Sequence, residues 1–204
     1  MNKIKALLYY MAGRVPIDNK NILKGSTLLH ISDTPASFFG ELARLIKILQ
    51  PDFIVHTGDM VDNIKLELFP GSLWRYEREV KRLIYMLEQS EAERIYIALG
   101  NHDNEEIVRR YSNRSHIITS AETVKIEDIK FCIAHYPDEV LSQPGEINLY
   151  GHNLSLKSGY SEGRLCLNGI TGINLIELNT RKYHSFPYPL GTDDQRLCRS
   201  KIGL

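Results

Sequence analysis

The chain has 204 residues, of which 43% are hydrophobic and 25% are charged, and this composition is typical of one soluble globular domain. Its formal net charge is zero, so no overall basic field favours nucleic acid or an anionic membrane surface as a partner. Three scattered cysteines are typical of a reducing compartment, here taken as the cytoplasm, rather than of a disulfide framework. No apolar run is long enough to span a membrane.

Residues 1–24 predict an N-terminal appendage that contains one short helix. The apolar residues with helical spacing are Ile4, Leu7, Leu8 and Met11. Gly13 and Pro16 end this pattern, as glycine and proline commonly do at the end of a helix. We expect the helix to pack on the surface of the domain, with docking to a partner as the alternative.

The next part of the chain alternates apolar runs with amphipathic segments. Strands are predicted at Leu28–Ile31, Phe53–His56 and Ile95–Ile97. The segments between them carry apolar stripes with helical spacing, from Phe38 to Leu49 and from Leu73 to Leu87. A third helix is expected to begin at Asn104–Glu106. This alternation predicts a parallel sheet with right-handed crossover connections.

After residue 115 short strands follow one another without long helices between them. The predicted strands are Val124–Ile126, Ile129–Ala134, Ile147–Tyr150, Leu165–Asn168 and Ile173–Leu178. They predict a second sheet, mostly antiparallel or mixed. The domain is therefore expected to span residues 25–184. Residues 185–204 contain Pro187, Pro189 and Gly191 and predict a C-terminal tail that is extended or poorly ordered.

Candidate metal ligands follow an apolar run at five points of the chain. These residues are Asp33, Asp59, Asn101 with its neighbour His102, His135 and His152. The carboxyl ends of parallel strands gather at one edge of a sheet, where α/β proteins carry their chemistry. Carboxylates, amide oxygens and imidazoles are ligands of zinc, manganese and iron. Each residue alone has an ordinary explanation as a turn or capping residue, but five in sequence predict one shared metal site.

These residues lie in motifs that resemble the ordered signature of the calcineurin-like metallophosphoesterase superfamily. That signature reads Asp-x-His, Gly-Asp, Gly-Asn-His-Asp/Glu, His and Gly-His-x-His, and the matching stretches are Asp33–Pro35, Gly58–Asp59, Gly100–Asp103, His135 and Gly151–Leu154. The resemblance covers about residues 27–178. It implies an α/β fold, a four-layer α/β/β/α sandwich of two mixed sheets flanked by helices, with a dinuclear metal site at the strand ends.

The resemblance implies one complete ligand set and one incomplete set. The complete set consists of Asp59, Asn101, His135 and His152. The second set retains Asp33, but Pro35 and Leu154 stand where the family has two histidines. We therefore expect one strong and one weakened site for one or two divalent ions, with manganese, zinc or iron as candidates. His30 and His56 are nearby substitutes, but their positions inside apolar strands favour packed, hydrogen-bonded histidines.

Two further residues receive catalytic roles from the resemblance. His102 matches a histidine that lies beside the leaving-group oxygen and donates a proton, a role that suits imidazole near pH 7. Asp62 stands where the phosphoprotein phosphatases have an acid that pairs with this histidine; the alternative is a turn carboxylate. Asn63 replaces the phosphate-binding arginine of those phosphatases, which argues against that branch.

Together these features predict a metal-dependent phosphohydrolase that cleaves a phosphomonoester or a phosphodiester with a metal-activated hydroxide. The expected substrate is a phosphorylated small molecule or a nucleotide. The alternative is a non-catalytic binding or scaffold protein, like the metallophosphoesterase-fold subunit of the retromer complex. His102 favours the enzyme, whereas Pro35 and Leu154 favour the scaffold. A nuclease is a third hypothesis, which the zero net charge disfavours.

Overall fold

The computed structural model describes residues 3–17 and 25–198, in which strands first alternate with helices and then follow one another closely. The helices are α1 (Lys3–Met11), α2 (Phe39–Leu49), α3 (Leu73–Glu88), α4 (Glu105–Tyr111), α5 (Pro137–Ser142) and α6 (Thr192–Arg196). The strands are β1 (Thr27–Ile31), β2 (Phe53–His56), β3 (Arg94–Ala98), β4 (Ser115–Ile118), β5 (Glu122–Ile126), β6 (Ile129–Ile133), β7 (Ile147–Tyr150), β8 (Gly159–Ser161), β9 (Arg164–Asn168), β10 (Ile173–Glu177) and β11 (Tyr183–Phe186).

The strands form two mixed sheets. In the first sheet the order is β11-β10-β1-β2-β3-β4; β1 to β4 are parallel, while β10 and β11 are added antiparallel. In the second sheet the order is β5-β6-β7-β9-β8, with three parallel strands in the middle and an antiparallel strand at each edge. The predicted fold class of two mixed sheets flanked by helices is therefore confirmed.

The first sheet is buried on both faces, which explains the continuous apolar runs in its strands. In β1, Leu28 packs into the core between the two sheets, and Leu29 packs into the core formed with α2 and α3. Both side chains are fully buried, and each burial contributes about 1.5–3 kcal/mol. On the outer face of the second sheet, Cys132 and Val140 pack together, so the short α5 covers part of that face.

The second half of the chain differs from the sequence prediction in where its strands go. β10 does not join the second sheet but pairs antiparallel with β1, and β11 follows it. The sequence analysis also did not predict β4, β8 and α5. These elements are only three to six residues long, which is too short for a period in the hydrophobic pattern to be visible.

The predicted N-terminal helix is present as α1, and its apolar side chains are largely exposed. Ile4, Leu7, Leu8 and Met11 are 58–68% exposed. Leu190 donates its N–H to the carbonyl of Tyr10 in α1, and after the helix the buried Val15 donates its N–H to Glu41 and accepts from Arg44 at its carbonyl. Within the described ranges, no helix is long and apolar enough to cross a membrane. Residues 18–24, and with them the predicted domain boundary, lie outside the described residues.

The C-terminal segment is folded over residues 185–198, contrary to the expectation of an extended or poorly ordered tail. β11 extends the first sheet, and Arg196 of α6 is fully buried. Its guanidinium donates to the carbonyls of Ser32, Asp33 and Ile170 and lies over the ring of Tyr188 at 3.9 Å. A buried cation that satisfies several carbonyls fixes the segment despite its prolines. Residues 199–204 of the predicted tail are outside the described part of the chain.

We predict that Arg196→Ala lowers the free energy of unfolding by about 3 kcal/mol or more, because it leaves buried carbonyls without a donor. Arg181 provides the control, since its side chain is 52% exposed and paired with Glu146; Arg181→Ala should change stability by about 0.5 kcal/mol or less. Urea unfolding measures both values. Equal losses in the two variants would contradict a structural role for Arg196.

Candidate metal centre

The loops after five parallel strands meet at one edge of the molecule. β1 leads to Asp33, β2 to Asp59, β3 to Asn101, β6 to His135 and β7 to His152. These strands belong to two different sheets, so the site lies where the carboxyl edges of both sheets come together. The structure therefore brings all the predicted metal-ligand residues into one region. Their role in binding metal remains a prediction.

Four of these side chains surround one point. The Nε2 atom of His135 lies 3.2 Å from Asn101 Oδ1, 3.2 Å from His152 Nδ1 and 3.6 Å from Asp59 Oδ2. Ligands that bind one ion at about 2.0–2.2 Å lie about 3–4 Å from one another, so these separations suit a common divalent ion. His135 and Asp59 are buried, whereas His152 is exposed, so the point is open to solvent on the His152 side.

Hydrogen bonds set the orientation of two of the four side chains. His135 Nδ1 lies 2.7 Å from the carbonyl of Thr57, so this nitrogen donates its proton and Nε2 keeps its lone pair for a metal. The amide of Asn101 donates through Nδ2 to Glu67 at 2.6 Å, which turns Oδ1 toward His135. The sequence analysis missed Glu67, because an acid in an exposed loop carries no signal of its distant partner.

The backbone of the site is held in conformations that non-glycine residues rarely adopt. Asp33, Asp59 and His152 have φ values of 49°, 52° and 64°. Such left-handed residues are strained and collect at functional sites. The glycine before Asp59 is required by space as well as by its φ of 91°, because a Cβ at Gly58 would lie 2.5 Å from His135 Nδ1. The loops therefore turn sharply enough to direct both carboxylates inward.

The carboxylate of Asp103 ties the loop after β2 to the loop after β3. Its Oδ2 accepts from the N–H groups of Asp59 and Gly100, and its Oδ1 accepts from Met60 N–H and from the hydroxyl of Tyr76, all at 2.8–2.9 Å. Desolvation raises the pKa of Asp103, and hydrogen bonds from these donors oppose that rise. Asp103 thus positions Asp59 without entering the ligand set.

The carboxylates of the site repel one another, so a cation bound among them would be stabilising. Burial and the neighbouring charge of Asp33 raise the pKa of Asp59 well above its usual range. The same two causes, in the same order, raise the pKa of Asp62 to about 7. One divalent ion among Asp59, Asn101, His135 and His152 would relieve this repulsion with the oxygen and nitrogen donors that it prefers. The residues present therefore fit one metal ion.

The second half of the site does not offer a comparable set of ligands. Asp33 Oδ2 already accepts from Ser32 Oγ at 2.5 Å and from His152 N–H at 3.1 Å. Pro35 opens a 3-10 turn before α2, and Leu154 lines the cavity beside Asp33 without a donor atom. Asp33 and the shared Asp59 are the two ligands that remain, and two ligands are too few for a tightly held zinc ion.

The two residues with predicted catalytic roles lie at this second half. Ligand atoms of Asp59, Asp62 and His102 are within 4.8 Å of one another. The carboxylate of Asp62 pairs with Lys65, so its predicted pairing with His102 remains a prediction. Burial, with a further contribution from Lys65, lowers the pKa of His102 to about 4. Glu67 opposes this decrease from 3.9 Å away.

The two histidines considered as substitute ligands are packed inside the fold, as the sequence analysis favoured. His30 bonds to Thr57 Oγ1 at 3.0 Å, and His56 bonds to Thr34 Oγ1 at 2.8 Å. Both are fully buried, and burial lowers the pKa of each to about 3. They are neutral at pH 7, and their ring nitrogens make hydrogen bonds inside the fold.

The comparisons with known proteins agree with the motifs. The sequence matches the calcineurin-like phosphoesterase family over residues 26–198. The chain therefore belongs to the calcineurin-like phosphoesterase family. No curated protein matches the sequence.

Solved structures of low sequence identity share the fold. An archaeal phosphodiesterase is 18% identical, with a TM-score of 0.57 over 78% of this chain and 98% of that one. The phosphoesterase Yfce from E. coli is 13% identical, with a TM-score of 0.52 over 79% and 98%. At such identities these likenesses concern the fold alone.

We predict that Asp103→Asn lowers the free energy of unfolding by about 2–4 kcal/mol, because an amide NH₂ would face donors on at least one side. It should also weaken metal binding through Asp59, whose N–H it would no longer hold. Asp128→Asn is the control, since that side chain is 98% exposed in a turn. Urea unfolding and metal titration measure the two effects. If the Asp103→Asn variant were as stable as the control, the hydrogen bonds of Asp103 would be dispensable.

Proposed function

We propose that this protein is a phosphohydrolase that cleaves a phosphomonoester or a phosphodiester at one firmly bound divalent ion. The observation that carries the proposal is the convergence of Asn101, His152 and Asp59 on Nε2 of His135 at 3.2–3.6 Å. The orientation of His135 by Thr57 and of Asn101 by Glu67 supports it further, since fixed ligands hold metals more tightly. Manganese, zinc and iron all suit this donor set.

When bound, the ion would supply charge stabilisation for the phosphoryl oxygens and a water nucleophile that is active near neutral pH. The chain's own residues do the rest. Asp59, Asn101, His135 and His152 would hold the ion, and the sharply turned loops of Asp59 and His152 direct these ligands toward it. Phosphoryl transfer depends mainly on such positioning and on electrostatics. Asp33, bonded to the backbone of His152, keeps the loop after β7 against the loop after β1.

His102 is proposed as the proton donor to the leaving group. Its backbone N–H donates to Asp59 Oδ1 at 2.9 Å, which fixes the residue beside the metal ligands. Burial lowers the pKa of its ring to about 4, so it is neutral at pH 7 before substrate arrives. The negative charge of a phosphoryl group raises the pKa of a nearby histidine, so substrate binding would itself bring His102 toward protonation.

The same geometry supports the proposed class of substrate. The exposed side of His152 leaves one face of the site open, which suits a phosphorylated small molecule or a nucleotide. The three cysteines are unpaired, which supports a reducing compartment such as the cytoplasm. A non-catalytic scaffold is the alternative, favoured by Pro35 and Leu154; it has no physical need for a complete set of four oriented ligands.

We predict that His135→Ala weakens metal binding by about 100-fold or more and abolishes hydrolysis of nitrophenyl phosphate mono- and diesters. His116→Ala is the control, because the described side-chain contacts of that exposed histidine are with Glu122 and the ring of Tyr96, not with the proposed metal ligands. Metal content after dialysis and release of nitrophenol measure the two effects. A wild-type protein that binds metal but cleaves neither ester would favour the scaffold.

We predict that His102→Ala lowers the rate on an alkyl phosphate by about 10²–10⁴-fold but the rate on a nitrophenyl phosphate by less than about 10-fold. A nitrophenolate leaves without a proton, whereas an alkoxide needs one. The rates of both substrates with and without the substitution give the comparison. His102→Gln tests whether a hydrogen-bond donor suffices. Equal losses on both substrates would assign His102 another role.

A further inference from the structure

A lysine ammonium group lies among the carboxylates of the candidate metal centre. Lys65 pairs with the carboxylate of Asp62, and its side chain is only 17% exposed. It lines a cavity of about 110 Å³ together with Asp33, Asp59 and His102. The sequence analysis did not single out this residue, because a lysine in a loop is ordinarily a solvated surface charge.

Lys65 lies close to residues of three separate loops. It lines one cavity together with Asp62, His102 and His152, which follow β2, β3 and β7 respectively. An ammonium group that shares a cavity with all three lies inside the site rather than at its rim.

This position coincides with the half of the site that lacks metal ligands. Leu154 lines the same cavity and offers no donor atom. Arg196 also borders the cavity, but its guanidinium is directed at the carbonyls of Ser32, Asp33 and Ile170. A divalent ion at the carboxylates of Asp33 and Asp62 would be repelled by the Lys65 ammonium at short range. Lys65 and a second metal ion therefore compete for the same carboxylates.

We propose that the Lys65 ammonium is the second cation of this site: it takes the place of a second metal ion and binds a phosphoryl oxygen of the substrate. The second part rests on the proposed phosphohydrolase function. An ammonium group has three N–H donors; one is used by Asp62, and the others can serve a phosphate. Lys65 supplies charge and position only, since an ammonium cannot activate water as a Lewis acid does.

Titration calorimetry tests this proposal without any assay of turnover: it measures the binding of Mn²⁺ to the protein and then the binding of inorganic phosphate to the Mn²⁺-loaded protein. The wild-type protein should bind one Mn²⁺ tightly per chain. Lys65→Met should keep that ion but weaken phosphate binding to the Mn²⁺-loaded protein by about 10–100-fold, as expected for the loss of one charged hydrogen bond. Lys65→Arg keeps the charge and should recover part of the affinity. Lys125→Met is the matched control, because that lysine is 64% exposed, and it should bind as the wild type does.

Two results would overturn the proposal: two tightly bound Mn²⁺ ions in the wild-type protein, or phosphate affinity in Lys65→Met within about twofold of the control. If Lys65→Met alone is unstable on thermal unfolding, the double variant Lys65→Met with Asp62→Asn removes both charges of the pair and allows the same measurement. The proposed function fails separately. If the protein binds one Mn²⁺ and binds phosphate through Lys65 but cleaves no ester, the proposed role of Lys65 as the second cation stands and only the proposed hydrolase function fails.

Discussion

The arrangement of the site depends on the carboxylate of Asp103, which joins two loops that are distant in sequence. Its two oxygens accept four hydrogen bonds from the loop after β2, the loop after β3 and α3. Every partner is a donor, so the ionised carboxylate is the form that fits. Because the N–H of Asp59 is one of these donors, the position of a proposed metal ligand is fixed by an acid outside the proposed ligand set.

The hydrogen bonds of Asp103 also help to explain how strained backbone conformations persist at the strand ends. Asp33, Asp59 and His152 all adopt left-handed conformations, and each such residue costs on the order of 1 kcal/mol or more. The strain is held by hydrogen bonds from outside each loop: Asp103 holds the loop of Asp59, and Arg196 holds the loop of Asp33. The resulting turns direct the side chains of the two sheets toward one point.

The sequence predicts the part of this arrangement that has a local pattern. Apolar runs followed by polar residues identify the strand ends, and the parallel order of β1 to β3 brings those ends to one edge. Glu67, Lys65 and Arg196 could not be predicted in this way. Their contacts span 3 residues of sequence for Lys65, 34 for Glu67 and 164 for Arg196. A single charged residue in a loop or tail belongs to no periodic pattern, so the sequence does not reveal its partner. The path of β10 is missed for a similar reason, since a strand's own pattern does not specify which sheet edge it joins.

The distribution of charge divides the site into two unlike halves. On one side, two imidazoles and an amide accompany a single carboxylate, Asp59, and a divalent ion held by these proposed ligands would keep most of its positive charge. On the other side, Asp62 is paired with the fixed cation Lys65, and Asp33 and Arg196 line the same cavity. A cation that belongs to the chain cannot be lost by dialysis or exchanged for another metal. Pro35 and Leu154 at the positions of two family histidines are therefore compatible with the proposed centre, because the Lys65 ammonium already places a positive charge beside Asp62.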